Sequence, residues 1–207
     1  MRTLYKPANG STHRALTLGQ VLVFYLICIF LGPILWQMMG WVGLDRFRPA
    51  VVDGGLYGIL LIPLAYAFDR KIFSREYWHF PASGWIGVII LAVLQIMMMS
   101  GRDSEVEYYR AIGAVLVAPI VEELARAVMV SPLTIRLGSF WAIAITSALW
   151  AAAHNLFWIA LVQQTVLTSI FVLTRKSLPS SITAHLVMNL IAVAYPRMHA
   201  LFPHAFA

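Results

Sequence analysis

The sequence predicts an all-α fold: a polytopic transmembrane helical bundle of about seven spans with a polar site inside the membrane. Three observations predict it. First, 60% of the 207 residues are hydrophobic and 12% are charged, against about 45–50% and about 25% in soluble domains. Second, the apolar residues gather in stretches of roughly 17–22, the length a helix needs to cross about 30 Å of hydrocarbon. Third, carboxylate, guanidinium, imidazole and amide groups interrupt three of those stretches in the C-terminal half. The net charge of +6 falls mostly between the apolar stretches, so it reads as a topology signal. No basic-aromatic stripe points to nucleic acid.

In chain order the expected spans are 18–39, 51–68, 82–100, 111–130, 139–156, 158–174 and 178–196. The first is too long for a signal-peptide core and has no small-residue cleavage site, so it reads as a retained span. Its Cys28 is the single cysteine, which precludes an intrachain disulfide and reads as a small packing residue. The second span is short and carries Asp53 near its start. The third ends in Met97 to Met99, read as packing. Residues 101–110 mix Asp103, Glu105 and Glu107 with Arg102 and Arg110 and read as an exposed loop. The fifth and sixth spans are nearly continuous, separated only around Asn155. Gln163, Gln164 and Thr165 give the sixth a polar stripe, read as interhelical hydrogen bonding.

With the N-terminus inside, the cytoplasmic side holds Arg2, Lys6, Arg14, Arg70, Lys71, Arg75, Arg136, Arg175 and Lys176. The opposite side holds Arg46, Arg48, Arg102, Arg110 and Arg197. The positive-inside rule therefore orients the chain as a multi-pass plasma (inner) membrane protein with a cytoplasmic N-terminal segment, 1–17. Residues 1–207 read as one membrane domain. Trp36, Trp41, Tyr77, Trp78, Trp85, Tyr108 and Tyr109 suit the interfacial belt.

Three motifs carry chemistry. In the fourth span, Glu122 and Glu123 precede Arg126. Arg126 lies four residues from one carboxylate and three from the other, so either pair can meet on a helix. The preferred division pairs Glu123 with Arg126 and leaves Glu122 poised as a base. In the fifth, Trp150 and His154 stand one helical turn apart, and His154 can polarise a water. The alanines between them allow close helix approach. In the last, His185 and Asn189 share a face, and an imidazole N–H with an amide NH₂ makes an oxyanion hole. Each motif alone also fits a plain packing role. Together they supply a base and oxyanion donors in three different spans, which favours a membrane-embedded hydrolase.

The order Glu-Glu with a following Arg, aromatic-x-x-x-His, then His-x-x-x-Asn resembles the CPBP (CAAX protease and bacteriocin-processing, or Abi) family of intramembrane proteases. The resemblance covers about 111–196, the expected catalytic core, and includes the run from Leu173 through Arg175, Ser177 and Leu178 to His185. It implies a type II CAAX prenyl endopeptidase-like enzyme acting on a membrane-associated or lipidated protein or peptide. Glu122 and His154 would activate the water, His185 and Asn189 would stabilise the oxyanion, and Glu123, Arg126 and Trp150 would support the site. Two positions depart from the family pattern. The arginine comes one residue early, with Ala127 in its usual place, which turns Arg126 about 100° around the helix. Trp150 replaces the usual Phe.

No cofactor is expected in this reading. The alternative is a zinc ion on Glu122, His154 and His185, although no His-Glu-x-x-His motif is present. The competing function is a non-catalytic transporter or immunity-type protein with a buried polar packing network. Depth raises one tension. Glu122 lies about 16 Å into its span and His185 about 10 Å into the last, but His154 lies about 20 Å into its own.

Overall fold

The computed structural model describes residues 16–53, 55–99, 111–154 and 156–201, and every regular element among them is helical. The N-terminal stretch 1–15, the expected loop 101–110 and Asn155 lie outside the described residues.

Helix α1 (Leu18–Trp41) starts at a capping box: Gln20 N–H donates to Thr17 Oγ1 at 3.2 Å, and Thr17 N–H donates to Gln20 Oε1 at 2.8 Å. These bonds satisfy donors that a helix start otherwise leaves orphaned. Val21, Phe24, Tyr25, Cys28 and Gly32 form its buried stripe, at the spacing of one helical face. Leu22, Val23, Leu26, Phe30 and Ile34 are exposed, as a lipid-facing surface requires.

The expected second span is not one straight helix. A π-helical turn (Pro49–Asp53), a 3₁₀ turn (Leu56–Leu60) and short α2 (Leu61–Phe68) replace it, and the two halves meet at 65°. The break falls at Gly55, whose φ of 69° is left-handed, a conformation glycine takes without a Cβ clash. Its Cα side faces Gly113, so two backbones approach closely there.

Helix α3 (Ala82–Met99) is followed, beyond residues 100–110, by a π-helical turn (Gly113–Val117) leading into α4 (Ala118–Leu137). Pro119 sits in the first turn of α4, where its missing N–H costs nothing. α4 is the central element: every residue from 123 to 133 is buried, and it packs on α1 and α2 and on the helices after it, α5 (Ser139–Ala152), α6 (Phe157–Leu173) and α7 (Leu178–Leu201). A second, smaller cluster joins α3 to α6 and α7 through Val88, Leu91, Leu167, Ile170, Ala184 and Met188.

Among the described residues, length and composition make two helices able to cross a membrane, Leu18–Trp41 and Leu178–Tyr195, or three if the bent pair is one span. The other expected spans differ for physical reasons. α4 carries Glu122, Glu123, Arg126 and Arg136, too many charges for an ordinary span. The apolar parts of α3, α5 and α6 are Ala82–Met98, Ser139–Ala152 and Phe157–Leu173, shorter than a full crossing. α5 in particular stops at Ala152 rather than at 156.

The segment before α3 braces the α6–α7 turn. Leu178 N–H donates to the Tyr77 carbonyl at 2.9 Å, the Ser177 hydroxyl donates to the His79 carbonyl, and the His79 ring bonds to the Thr174 carbonyl at 3.2 Å. The hydroxyls of Tyr77 and Ser131 meet at 2.9 Å, which ties the same segment to α4. These bonds hold Arg175 and Lys176 in left-handed conformations, φ 57° and 67°, that non-glycine residues rarely adopt. They thereby fix where α7 begins, and with it the position of His185.

Candidate active site

The site has two parts on the two sides of α4. The first is a fully buried ion network. Arg126 Nη2 lies 3.1 Å from Glu123 Oε1, and both side chains have no solvent exposure. The same carboxylate oxygen accepts from His185 Nδ1 at 2.9 Å. Other guanidinium hydrogens go to α6, Nη2 to Gln164 Oε1 at 2.5 Å and Nη1 to Thr168 Oγ1 at 3.1 Å, while Nε is buried without a partner. The guanidinium carbon also stands 5.9 Å from the centre of the Trp150 ring. A buried charge in a low-dielectric medium persists only when paired and hydrogen-bonded, and Arg126 is both. The open question of its partner is thus resolved as Glu123. Gln164 bonds Arg126 of α4 and Gln163 bonds Gln95 of α3 at 2.6 Å, the expected interhelical bonds, whereas Thr165 bonds back to Leu161 O within α6.

The second part is a cavity of about 510 Å³ between α1, the bent 49–61 segment, α4 and the end of α5. Glu122, Trp150 and His154 line it together with Cys28, Tyr57 and Ala114. Glu122 is half-buried, and its Oε2 is shielded from solvent without a hydrogen-bond partner. Adjacent residues on a helix point about 100° apart, which is why Glu122 faces the cavity while Glu123 faces α7.

His154 does not stand on a helical face with Trp150 as the spacing predicts. α5 ends at Ala152, and His154 lies exposed in the break before α6. Its Nδ1 meets the Trp150 carbonyl at 2.7 Å. A carbonyl oxygen only accepts, so Nδ1 carries the proton and, in the neutral ring, Nε2 is left as the basic nitrogen. The same carbonyl also accepts the Ala153 N–H at 3.2 Å, so the ring bond adds to the cap at the end of α5. The break removes the depth tension: His154 reaches the same cavity as Glu122 because the helix stops short.

His185 and Asn189 are not among the cavity-lining residues. His185 Nδ1 is held by Glu123, and Asn189 Nδ2 donates to the Ala114 carbonyl at 2.7 Å. The Asn189 bond ties α7 to the π-helical turn, where Ala114 forms cavity wall.

Among the described residues, no three His, Cys, Asp or Glu side chains are grouped to hold a metal ion.

Sequence reasoning passed over Thr168, Tyr57 and the cavity wall on α1. Thr168 lies four residues after Gln164, a spacing that signals one polar face in an apolar helix. Cys28 and Tyr57 give no such signal, because each is an ordinary packing residue by type.

Residues 104–191 match the protein family described as Type II CAAX prenyl endopeptidase Rce1-like. The match covers less than half of the chain but includes Glu122, Glu123, Arg126, Trp150, His154, His185 and Asn189, and excludes Cys28 and Tyr57. No curated protein and no solved structure matches the chain. The family implies a CAAX endopeptidase with a membrane-associated protein substrate, and the apolar helices fit an integral membrane protein. Through residues 104–191, the chain is similar to the type II CAAX prenyl endopeptidase family.

Proposed function

We propose that this protein is an intramembrane endopeptidase that hydrolyses a peptide bond of a membrane-associated or lipidated protein with water activated between Glu122 and His154. The observation that carries this reading is that both groups line one cavity and both keep proton-accepting capacity: an unpartnered Glu122 oxygen and the His154 nitrogen opposite its tether. A water bridging them loses a proton to this pair as it attacks the scissile carbonyl. The protonated member then delivers that proton to the departing amine nitrogen.

Glu123, Arg126, Gln164 and Thr168 act in this reading as the lock that fixes the rotation of α4, so that Glu122 faces the cavity. His185 and Asn189 brace α4 and the Gly113–Val117 turn from α7. As an oxyanion donor Asn189 requires α7 to move toward the cavity, with its second amide hydrogen left to give, and His185, whose Nδ1–H is held by Glu123, donates from Nε2 only when the ring carries both protons. No step is routed through a metal. We assign the chain as a single multi-pass domain of the plasma (inner) membrane, with seven apolar segments and a cytoplasmic N-terminus, from the distribution of lysine and arginine.

The test uses the purified full chain in lipid–detergent micelles with a fluorogenic peptide ending in a farnesylated cysteine and three further residues. Wild type should cleave it, and Glu122→Gln and His154→Asn should not. Equal cleavage by all three, or none by wild type, would sink the reading and favour the non-catalytic transporter or immunity-type alternative.

A further inference from the structure

We infer that Tyr57 is a further catalytic residue of this cavity, its phenol O–H donating to the carbonyl oxygen of the scissile bond as negative charge develops there. The inference rests on the endopeptidase reading above.

A tetrahedral intermediate in a low-dielectric cavity needs a hydrogen-bond donor at its oxygen. Of the expected donors, the His185 and Asn189 side chains bond Glu123 and Ala114 and do not line the cavity. The Trp150 indole N–H lies on a lining residue but is sealed from solvent without a partner. Tyr57 lines the cavity alongside Glu122 and His154 and makes no hydrogen bond among the described residues. A phenol suits this position because it donates without bringing a charge that the membrane interior would penalise.

The local fold is built to hold this ring. Tyr57 sits on the 3₁₀ turn that follows Gly55, so the bend that breaks the expected helix brings it to the cavity. On α1 the ring rests against Gly32, where a Cβ would stand 3.2 Å from Tyr57 Cζ and 3.4 Å from its hydroxyl oxygen. That is tighter than ordinary contact, so any larger residue at Gly32 shifts the phenol.

The step balances without a cofactor. Water gives a proton to the Glu122–His154 pair and forms the new C–O bond, and the carbonyl π electrons move to its oxygen, which accepts from Tyr57. On collapse the C=O reforms, the C–N bond breaks, and the pair returns its proton to the amine. Tyr57 keeps its own proton throughout.

The test measures kcat, KM and melting temperature on the farnesylated fluorogenic peptide for wild type, Tyr57→Phe, Gly32→Ala, the double variant and Glu122→Gln. Tyr57→Phe should lower kcat by about 10²–10³-fold with KM and melting temperature unchanged, the loss expected for one oxyanion donor. Gly32→Ala should lower kcat in the wild-type background and add nothing to Tyr57→Phe, since both act on one group. A wild-type kcat for Tyr57→Phe beside an inactive Glu122→Gln overturns the inference and leaves the endopeptidase reading standing. A kcat loss that comes with a lower melting temperature assigns the phenol to packing and also overturns it. An active Glu122→Gln, or a wild type that leaves the peptide intact, removes both.

Discussion

Arg126 Nη2 stands 3.1 Å from Glu123 Oε1 in the fully buried centre of α4, while Glu122, one residue earlier, takes no part in the pair. The register explains this division. At i and i+3 the two charges lie on one helical face, and that face is turned toward Gln164 and Thr168 of α6 and His185 of α7. Shifting the arginine one residue along would point it about 100° away from these partners.

Removing the arginine should therefore be a stability defect before it is a catalytic one. Arg126→Ala strands the Glu123 carboxylate beside His185 and should cost about 3–5 kcal/mol, the usual penalty for breaking a buried pair from one side. Moving the charge to the family's usual position, Arg126→Ala with Ala127→Arg, should not restore it. Ala127 is fully buried, and the acceptors on α6 match position 126. Melting curves in detergent check both, and a double variant as stable as wild type would refute the register argument.

The two adjacent carboxylates should respond in opposite ways. Glu122→Gln removes no hydrogen bond or ion pair among the described residues, so its melting temperature should stay at the wild-type value while peptide cleavage is lost. Glu123→Gln breaks contacts to Arg126 and His185, so it should lower the melting temperature by several degrees and leave residual activity in whatever remains folded. Paired melting and single-turnover measurements separate these patterns. A stable, inactive Glu123→Gln together with an active Glu122→Gln would reverse the assignment.

Much of this division was legible in the sequence. Glu122, Glu123 and Arg126 sit in a segment too apolar to leave them unpartnered, and helical spacing restricts who can meet whom. The stop of α5 was legible only in part, through the boundary around Asn155 and the excess depth of His154. From Trp150 to Trp158 the chain is nearly all apolar or alanine, so nothing in periodicity marks the stop at Ala152, which shows only once the break is seen to carry His154 to the cavity. The bend at Gly55 was hidden for a related reason. The sequence shows there only a short span with Asp53 near its start, whereas Gly55 takes a left-handed turn against Gly113. The roles of Cys28 and Tyr57 depend on that bend, so no local pattern announces them.

The tether on His154 gives a test of which ring nitrogen matters. The amide of His154→Asn can occupy the Nδ1 position and still donate to the Trp150 carbonyl, but it offers no basic nitrogen. Its cleavage rate should fall by about 10²–10⁴-fold, the range for a lost general base, with the melting temperature retained. His154→Gln loses the basic nitrogen and the short tether together and should be no more active. Single-turnover rates at saturating peptide check this, and a wild-type rate for the asparagine variant would remove His154 from water activation.

Cys28 offers an independent reading of what fills the cavity. It is the only cysteine of the chain, it lines the cavity with Glu122 and Tyr57, and it is 7% exposed. A small thiol reagent such as methyl methanethiosulfonate should add one S-methyl group slowly and inhibit cleavage, because the added volume enters space the peptide uses. Bulky maleimides should react far more slowly until the protein is heated past its melting temperature. Saturating farnesylated peptide should retard the small reagent, and Cys28→Ala should take up no label. Intact-protein mass and residual cleavage rate follow both events on one sample. Complete modification with an unchanged cleavage rate, or labelling that the peptide does not slow, would show that substrate binds elsewhere than between α1 and α4.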